Sequence, residues 1–265
     1  MSLDAITELL ACPSCGESLG LSGRTLRCAG GHSFDLARQG YANLANGPEP
    51  ANADTAGMLQ ARRRVQQAGL FAPLTEELAQ LCAHDLTILD VGAGTGHHLA
   101  GCLPAEGVGL AIDISKSAAR LAARVDGRIG AVVADVWQGV PVRSGVLDSV
   151  LCVFAPRNLA EFRRVLRPEG HLIVVTPEAD HLLELREAFG LIGIEAGKQE
   201  RLLAAASGLF SLVATRDVAY RRDCSADQVA DLIAMGPNAF HGLHLDPPAM
   251  NVSFDVRVAV FSPIH

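Results

Sequence analysis

The segment Leu86-Thr87-Ile88-Leu89-Asp90-Val91-Gly92-Ala93-Gly94-Thr95-Gly96 joins a short apolar run to three glycines at alternate positions. An apolar run of this length, ended by glycines, predicts a strand buried on both faces that turns tightly into a helix. The same unit recurs downstream. Gly107 to Ile112, Ile129 to Ala134, Leu147 to Phe154 and His171 to Thr176 are further apolar runs of strand length. Lys116 to Arg124 and Leu159 to Val165 fall between them as helical segments, and residues 58–83 predict helix with a break near Gly69 and Pro73. Strands alternating with helices at this interval imply the α/β class, a parallel sheet covered on both faces. Asn251 to Phe261 is different, because Val252, Phe254, Val256, Val258 and Val260 alternate along it. Period-two patterning of this kind marks it as the candidate for a reversed strand closing a seven-stranded sheet.

Three glycines alone also suit an ordinary strand–helix turn or a nicotinamide dinucleotide site. The dinucleotide fingerprint, G-x-G-x-x-G, places its third glycine later than the Gly92, Gly94, Gly96 spacing found here. Asp90 adds a second constraint. A carboxylate at the strand end is badly placed for a pyrophosphate, yet it can hold the amino group of a methionine moiety. The next strand runs to Asp113, about 20 residues on, the distance at which an acid meets ribose hydroxyls. The third strand ends at Ala134-Asp135-Val136, where Asp135 can accept from the exocyclic amine of an adenine. Any one of these aspartates reads equally as a turn or helix cap. Three of them after three successive strands lie at the carboxyl ends, where open α/β sheets bind ligands. The expectation is a class I (Rossmann-like) methyltransferase sheet. Its S-adenosylmethionine site would be built from Asp90, Gly92, Gly94, Thr95, Gly96, Asp113, Ile114, Asp135 and Val136.

With 265 residues, 49% of them hydrophobic, the chain can bury a full catalytic core and carry something small besides. Its formal net charge of −7 is the wrong sign for a non-specific nucleic-acid binder, so any such role must rest on a local patch. No stretch approaches the roughly 20 apolar residues of a membrane span, so no membrane is expected. Seven cysteines without a secretory leader point to a reducing, cytoplasmic setting.

Three of those cysteines lie in residues 1–46, a turn-rich section that also holds Gly16 and Gly31. Cys12-Pro13-Ser14-Cys15, then Cys28 and His32, form the pattern C-x2-C-x12-C-x3-H. Two thiolates on one tight turn and a second pair after a hairpin complete a tetrahedral zinc site with no open position, hence a structural metal. Free thiols beside a surface histidine are the alternative, but a section this small lacks a core of its own. Residues 47–57, rich in Pro, Ala and Gly, predict a linker, and residues 58–265 the catalytic domain.

The N-terminal motif resembles a known family. Cys-Pro-Ser-Cys followed by His32-Ser33-Phe34-Asp35-Leu36-Ala37-Arg38-Gln39-Gly40-Tyr41-Ala42-Asn43-Leu44 looks like the zinc module of bacterial 23S rRNA (guanine-N1)-methyltransferases, which include macrolide-resistance enzymes of antibiotic-producing actinobacteria. The likeness continues through Met58-Leu59-Gln60-Ala61-Arg62-Arg63, the glycine loop, Val153-Phe154-Ala155-Pro156-Arg157-Asn158, Thr176-Pro177 to His181-Leu182, and Met235-Gly236-Pro237. The resemblance implies methylation of a guanine N1 in a 23S rRNA hairpin of the large ribosomal subunit, a zinc module for RNA recognition, and a homodimer. It also implies cofactor contacts from Phe71, where a tyrosine is expected, and from His181. The segment Phe154 to Asn158 resembles the resistance branch more than the housekeeping branch.

Guanine N1 carries a proton, and the anion left by its removal places much of its charge on O6. A target inside a hairpin must be splayed or flipped to meet the methyl donor. Amino-group methyltransferases carry Asn/Asp-Pro-Pro-aromatic after the fourth strand, whereas this chain has Phe154-Ala155-Pro156-Arg157-Asn158, with no carboxylate or histidine as base. Phe154 is expected to border the cofactor or stack on the base. Arg157 would stabilise charge at O6 or hold a phosphate, and Asn158 would bond a base edge. The alternative for Arg157 is a helix cap or an acid pair. Arg62-Arg63-Arg64 is the densest basic run and a candidate RNA contact, although on a helix it spreads over several faces. Residues 1–46 carry Arg24, Arg27 and Arg38 against four acids, so that module is not basic. Two other functions remain open at this point. One is a small-molecule methyltransferase of antibiotic biosynthesis that keeps a structural zinc module; the other is a non-catalytic binding protein.

Overall fold

The computed structural model describes residues 3–195, 197–236 and 246–264, so Pro237 lies outside the described residues. The N-terminal section begins with a 3-10 turn, Asp4–Leu9, followed by β1 (Gly20–Ser22), β2 (Thr25–Arg27) and β3 (Ser33–Asp35), which form a three-stranded antiparallel sheet. The section then gives up β4 (Ala42–Asn43), which pairs in parallel with β7 (Ile129–Val133) at the edge of the large sheet. The small ribbon is therefore stitched onto the catalytic sheet. Leu3, Ile6, Leu10, Leu26 and Leu36 sit in one apolar cluster with Phe162, Val150 and Leu172 of the catalytic part. A ribbon of this size has too little apolar surface for a separate core, and sharing one supplies the burial.

Two helices follow, α1 (Ala56–Gln67) and α2 (Ala72–Leu81). Thr55 caps α1 by accepting from Met58 N, so the helix starts inside the segment expected to be linker. Gly69 takes φ +74° between the helices, which is the break anticipated there. The alternating part comprises β5 (Thr87–Val91), α3 (His97–Cys102), β6 (Val108–Asp113), α4 (Lys116–Ala122), β7, β8 (Leu147–Val153), α5 (Leu159–Val165) and β9 (Leu166–Pro177). Then come α6 (Leu183–Phe189), α7 (Lys198–Ala206), β10 (Phe210–Cys224), α8 (Ala226–Ala234) and β11 (Met250–Pro263).

The eight strands run in the order β10-β11-β9-β8-β5-β6-β7-β4. β4 to β9 pair in parallel, while β11 lies antiparallel between β9 and β10. The reversed strand expected at Asn251 to Phe261 is β11. Adjacent residues of the central strands enter opposite cores, Ile88, Leu151 and Ile173 on one face and Leu89, Val150 and Leu172 on the other. That explains why these strands are continuously apolar. β10 was not anticipated. It is an edge strand with most of its residues exposed, so burial imposes no legible pattern on it.

Candidate functional site

β5 ends at Asp90, which is 2% exposed and makes no side-chain hydrogen bond among the described residues. Burial first, then the charges of Asp113 and Cys82, hold its carboxyl well above the usual carboxylate range. A buried acid with no partner at the mouth of a strand end is poised for a cationic group. Gly92, Gly94 and Gly96 follow with φ of +67°, +54° and +76°, a backbone that side chains disfavour. A Cβ on Gly92 would come within 2.6 Å of Ala155 Cβ. The glycine loop after β5 and the Phe154-Ala155-Pro156 loop after β8 are thus in contact, and only glycine permits it.

Asp113 ends β6 and accepts from Gly94 N at 2.9 Å and from Ser115 N at 2.8 Å. The acid expected to face ribose therefore also fixes the glycine loop. Ile114 beside it is half-buried, and Val136 beside Asp135 is buried. Asp135 accepts from Trp137 N at 3.0 Å and from Gln138 Nε2 at 3.1 Å, capping a short 3-10 turn. The capping alternative holds for Asp135, and only its spare lone pairs remain for an adenine amine. Thr95 Oγ1 donates to Gln66 Oε1 of α1 at 2.6 Å, so its proton is committed and only the Thr95 backbone and the hydroxyl's acceptor lone pairs are left for a ligand.

On the acceptor side, Phe154 has φ +56°, an uncommon conformation for a bulky residue, and is 43% exposed. Its ring lies 6.4 Å from Phe71 and 5.7 Å from His181. Phe71 is itself buried, in edge contact with Phe254 at 5.3 Å, and forms the floor of the aromatic cluster. His181 Nδ1 accepts from Asp255 N at 3.2 Å, which leaves any imidazole proton on Nε2. Burial and then the Arg186 charge pull His181 down to about 4, so the ring is neutral at pH 7. Arg157 is half-buried and has no acid partner among the described residues; it lines a cleft of about 260 Å³ with Lys198, Arg201 and Glu195. Asn158 departs from expectation. Its Oδ1 accepts from Glu161 N as the N-cap of α5, and its Nδ2 donates to Val136 O at 2.9 Å. With Oδ1 and one Nδ2 hydrogen engaged, Asn158 braces the loops after β8 and β7, and its second Nδ2 hydrogen is what is left for a base edge.

The basic run on α1 is also largely spoken for. Arg62 bonds Asp54 and, at 2.9 Å, Met235 O, while Arg64 pairs with Asp231. Arg63 alone of the three has no acid partner among the described residues. In the ribbon, ligand atoms of Cys12, Cys15, Cys28 and His32 all lie within 4.8 Å of one another. Cys15 and Cys28 sulfurs are 3.7 Å apart, and Cys28 Sγ is 3.4 Å from His32 Nδ1. Those are close to the edges of a tetrahedron built on Zn–S of ~2.3 Å and Zn–N of ~2.0 Å. The donor set fits one structural zinc.

The sequence matches two family models, one described as "RlmA, N-terminal" over residues 10–45, a zinc ribbon, and one described as "Methyltransferase domain" over residues 89–174. The 23S rRNA (guanine(748)-N(1))-methyltransferase of Streptomyces fradiae is 43% identical over 244 residues, covering 89% of this chain and 87% of that protein. The chain belongs to the 23S rRNA (guanine-N1)-methyltransferase family. A Micromonospora griseorubida protein provisionally named for the same activity is 39% identical, with 96% and 97% of the two chains covered. Among solved structures, a tRNA (m1A58) methyltransferase of Aquifex aeolicus shares the fold with a TM-score of 0.50 at 11% identity, over 73% of this chain and 69% of that one. As a member of this family the chain is an S-adenosylmethionine-dependent methyltransferase with a structural zinc site in its ribbon.

The residues present fit that cofactor. The lone buried carboxylate of Asp90 suits an amino group, and the glycine loop lacks the Cβ atoms that would fill the space. Asp54 and Gln66 contribute what sequence analysis missed. Asp54 O accepts from Ser115 Oγ at 2.9 Å, so the segment entering α1 is pinned beside Asp113. No local motif marks either residue, because both act through partners far along the chain. Among the described residues, no helix is long and apolar enough to cross a membrane.

Proposed function

We propose that this protein transfers a methyl group from S-adenosylmethionine to N1 of a guanine in a 23S rRNA hairpin, as a homodimer, and that the modification confers macrolide resistance. The contact between the Gly92 loop and the Phe154-Ala155-Pro156 loop carries the reading, because it sets an exposed aromatic beside the cofactor loop. When bound, the cofactor supplies an electrophilic methyl on a sulfonium. This chain's residues do the rest. Asp90 holds the donor's amino group, Asp113 and the spare lone pairs of Asp135 hold its ribose and adenine, and Phe71 and His181 close the site from the β9 side. Phe154 stacks on the extruded guanine, where base–aromatic stacking is worth ~1–3 kcal/mol. Arg157 carries the charge needed against O6 or the flanking phosphate, and proton loss from N1 goes to solvent. The ribbon, with the β4 segment leading into the site, positions the hairpin.

The test is methyl transfer from labelled cofactor to large-subunit rRNA lacking the modification, mapped by primer extension. A stop at one hairpin guanine is expected, since a methyl on N1 blocks pairing. Tight cofactor binding without incorporation into RNA would favour a small-molecule acceptor instead. Macrolide susceptibility of a host expressing the gene tests the resistance role, and sedimentation tests the dimer.

A further inference from the structure

A second group of metal-type donors lies away from the ribbon, at the amino-terminal end of the sheet and therefore opposite the cofactor loops. Cys82 caps the carboxyl end of α2, Asp85 closes the turn that follows, and His171 stands in β9. Their ligand atoms all lie within 4.8 Å of one another. Cys82 is fully buried and Asp85 is 8% exposed. Asp85 N donates to Cys82 O at 3.0 Å, and this tight turn brings a thiol and a carboxylate three residues apart onto one side.

The relation of Asp85 to His171 is the decisive feature. Asp85 Oδ2 and His171 Nε2 are 3.2 Å apart, yet each is buried without a hydrogen bond. The two atoms are close without an N–H···O line between them, as when both face a common third point. In a tetrahedral zinc site with Zn–N and Zn–O of ~2.0–2.1 Å, the N···O edge is ~3.3 Å. Ser149 Oγ, across the β8–β9 ladder from His171, is likewise buried and unpartnered, so this end of the sheet holds several unused polar atoms. The Cys102 thiol, at the end of α3, neighbours Cys82 but lies outside this mutually close set.

We propose that Cys82, Asp85 and His171 bind a second zinc ion. A thiolate with an imidazole and a carboxylate is a borderline-soft set of the kind zinc takes. The site is buried and remote from the glycine loop, so the ion is structural. It clamps the end of α2 and the start of β5 to β9, the elements that hold Asp90 from below.

The full-length protein, purified without chelator and supplied with zinc, tests this by elemental analysis. Two zinc ions per chain are expected, falling to one in Cys82→Ser and in His171→Gln. A single zinc per chain in the wild-type protein overturns the proposal. So does a second zinc that survives both substitutions, or a Cys82–Cys102 disulfide in the non-reduced protein. Should the variants fail to fold, X-ray absorption at the zinc edge of the wild type decides. The ribbon alone gives a mean of three sulfur ligands, whereas two sites lower that mean and add an oxygen shell. A mean of three with no oxygen shell overturns the site.

Discussion

Arg62→Ala separates two roles that the basic run on α1 could play. Arg62 lies over the glycine loop: a Cβ built on Gly94 would sit 3.0 Å from Arg62 Nη1. The guanidinium joins Asp54, in the segment that leaves the ribbon, to Met235 O beyond α8. Each partner of the Arg62–Asp54 pair is 24% exposed. A hydrogen bond to a charged group is worth about 1.5–3 kcal/mol, and partial exposure brings this one toward ~1 kcal/mol. The bond to Met235 O adds ~0.5–1.5 kcal/mol. Together, about 2 kcal/mol of order is lost around Asp113 and the glycine loop, which converts to a roughly 30-fold weaker cofactor affinity. Arg62→Lys should fall between, since a single ammonium cannot reproduce the planar fork that spans both partners. The assay is calorimetric titration with S-adenosylhomocysteine, run beside RNA binding at several salt concentrations. The salt dependence of RNA binding should be unchanged, because Arg62 is already neutralised. An unchanged cofactor constant with a salt slope reduced by about one phosphate would refute the reasoning and make Arg62 an RNA contact.

Asp90→Asn should weaken cofactor binding by about 10- to 150-fold, the range for a hydrogen bond to a charged group, as read by the same titration. The same change should raise the melting temperature of the cofactor-free protein. Burial holds Asp90 above its unfolded value, so its ionisation costs stability as pH rises from the unfolded value through the folded one, and an amide removes that cost. A melting temperature that falls instead would mean the carboxylate has a partner in the free protein. Arg157→Ala should lower the single-turnover rate on rRNA or reduce the salt slope of RNA binding by about one, with cofactor affinity unchanged; if neither moves, Arg157 has no substrate role. Cys28→Ser should abolish zinc binding in the ribbon and lower the melting temperature of the whole chain rather than of a separate transition. Two well-resolved calorimetric transitions would show that the shared core does not couple the ribbon to the catalytic part.

The parts legible from sequence were those in which one local pattern had one physical cause. The central strands are buried on both faces, so they are apolar throughout, and Asp90 stands out as the charge such a strand should not carry. The zinc ligands pair within short turns, and their spacing alone states the chemistry. What stayed hidden depends on partners distant along the chain. β10 is an exposed edge strand; Asn158 and Asp135 are caps whose second partners belong to other loops; Arg62 and Arg64 meet acids that no motif flags. Charge counting over the run does not see that two of its three cations pair with acids of the same chain.

That pairing bears on how an acidic chain can serve an RNA substrate. The ribbon leads through β4, which is built into the sheet beside β7, to Asp54, which touches both Ser115 and Arg62. The route from the zinc centre to the ribose side of the cofactor site is thus one stretch of chain anchored at both ends, by Leu44 N on Val133 O and by Ser115 Oγ on Asp54 O, with exposed residues 46–52 between. A cleft of about 670 Å³ opens between Cys12, Cys15 and Pro13 of the ribbon and Asp135, Gln138 and Arg164 of the catalytic part. The ribbon shares its apolar cluster with the catalytic part, so under the proposed function a hairpin docked on it would arrive in a fixed relation to Phe154. On that proposal positioning would stand in for bulk phosphate attraction, and the affinity for RNA should fall less steeply with salt than for a basic binder making 6–10 phosphate contacts. A steep slope, near that of such a binder, would overturn this and point to a positive surface absent from the single chain.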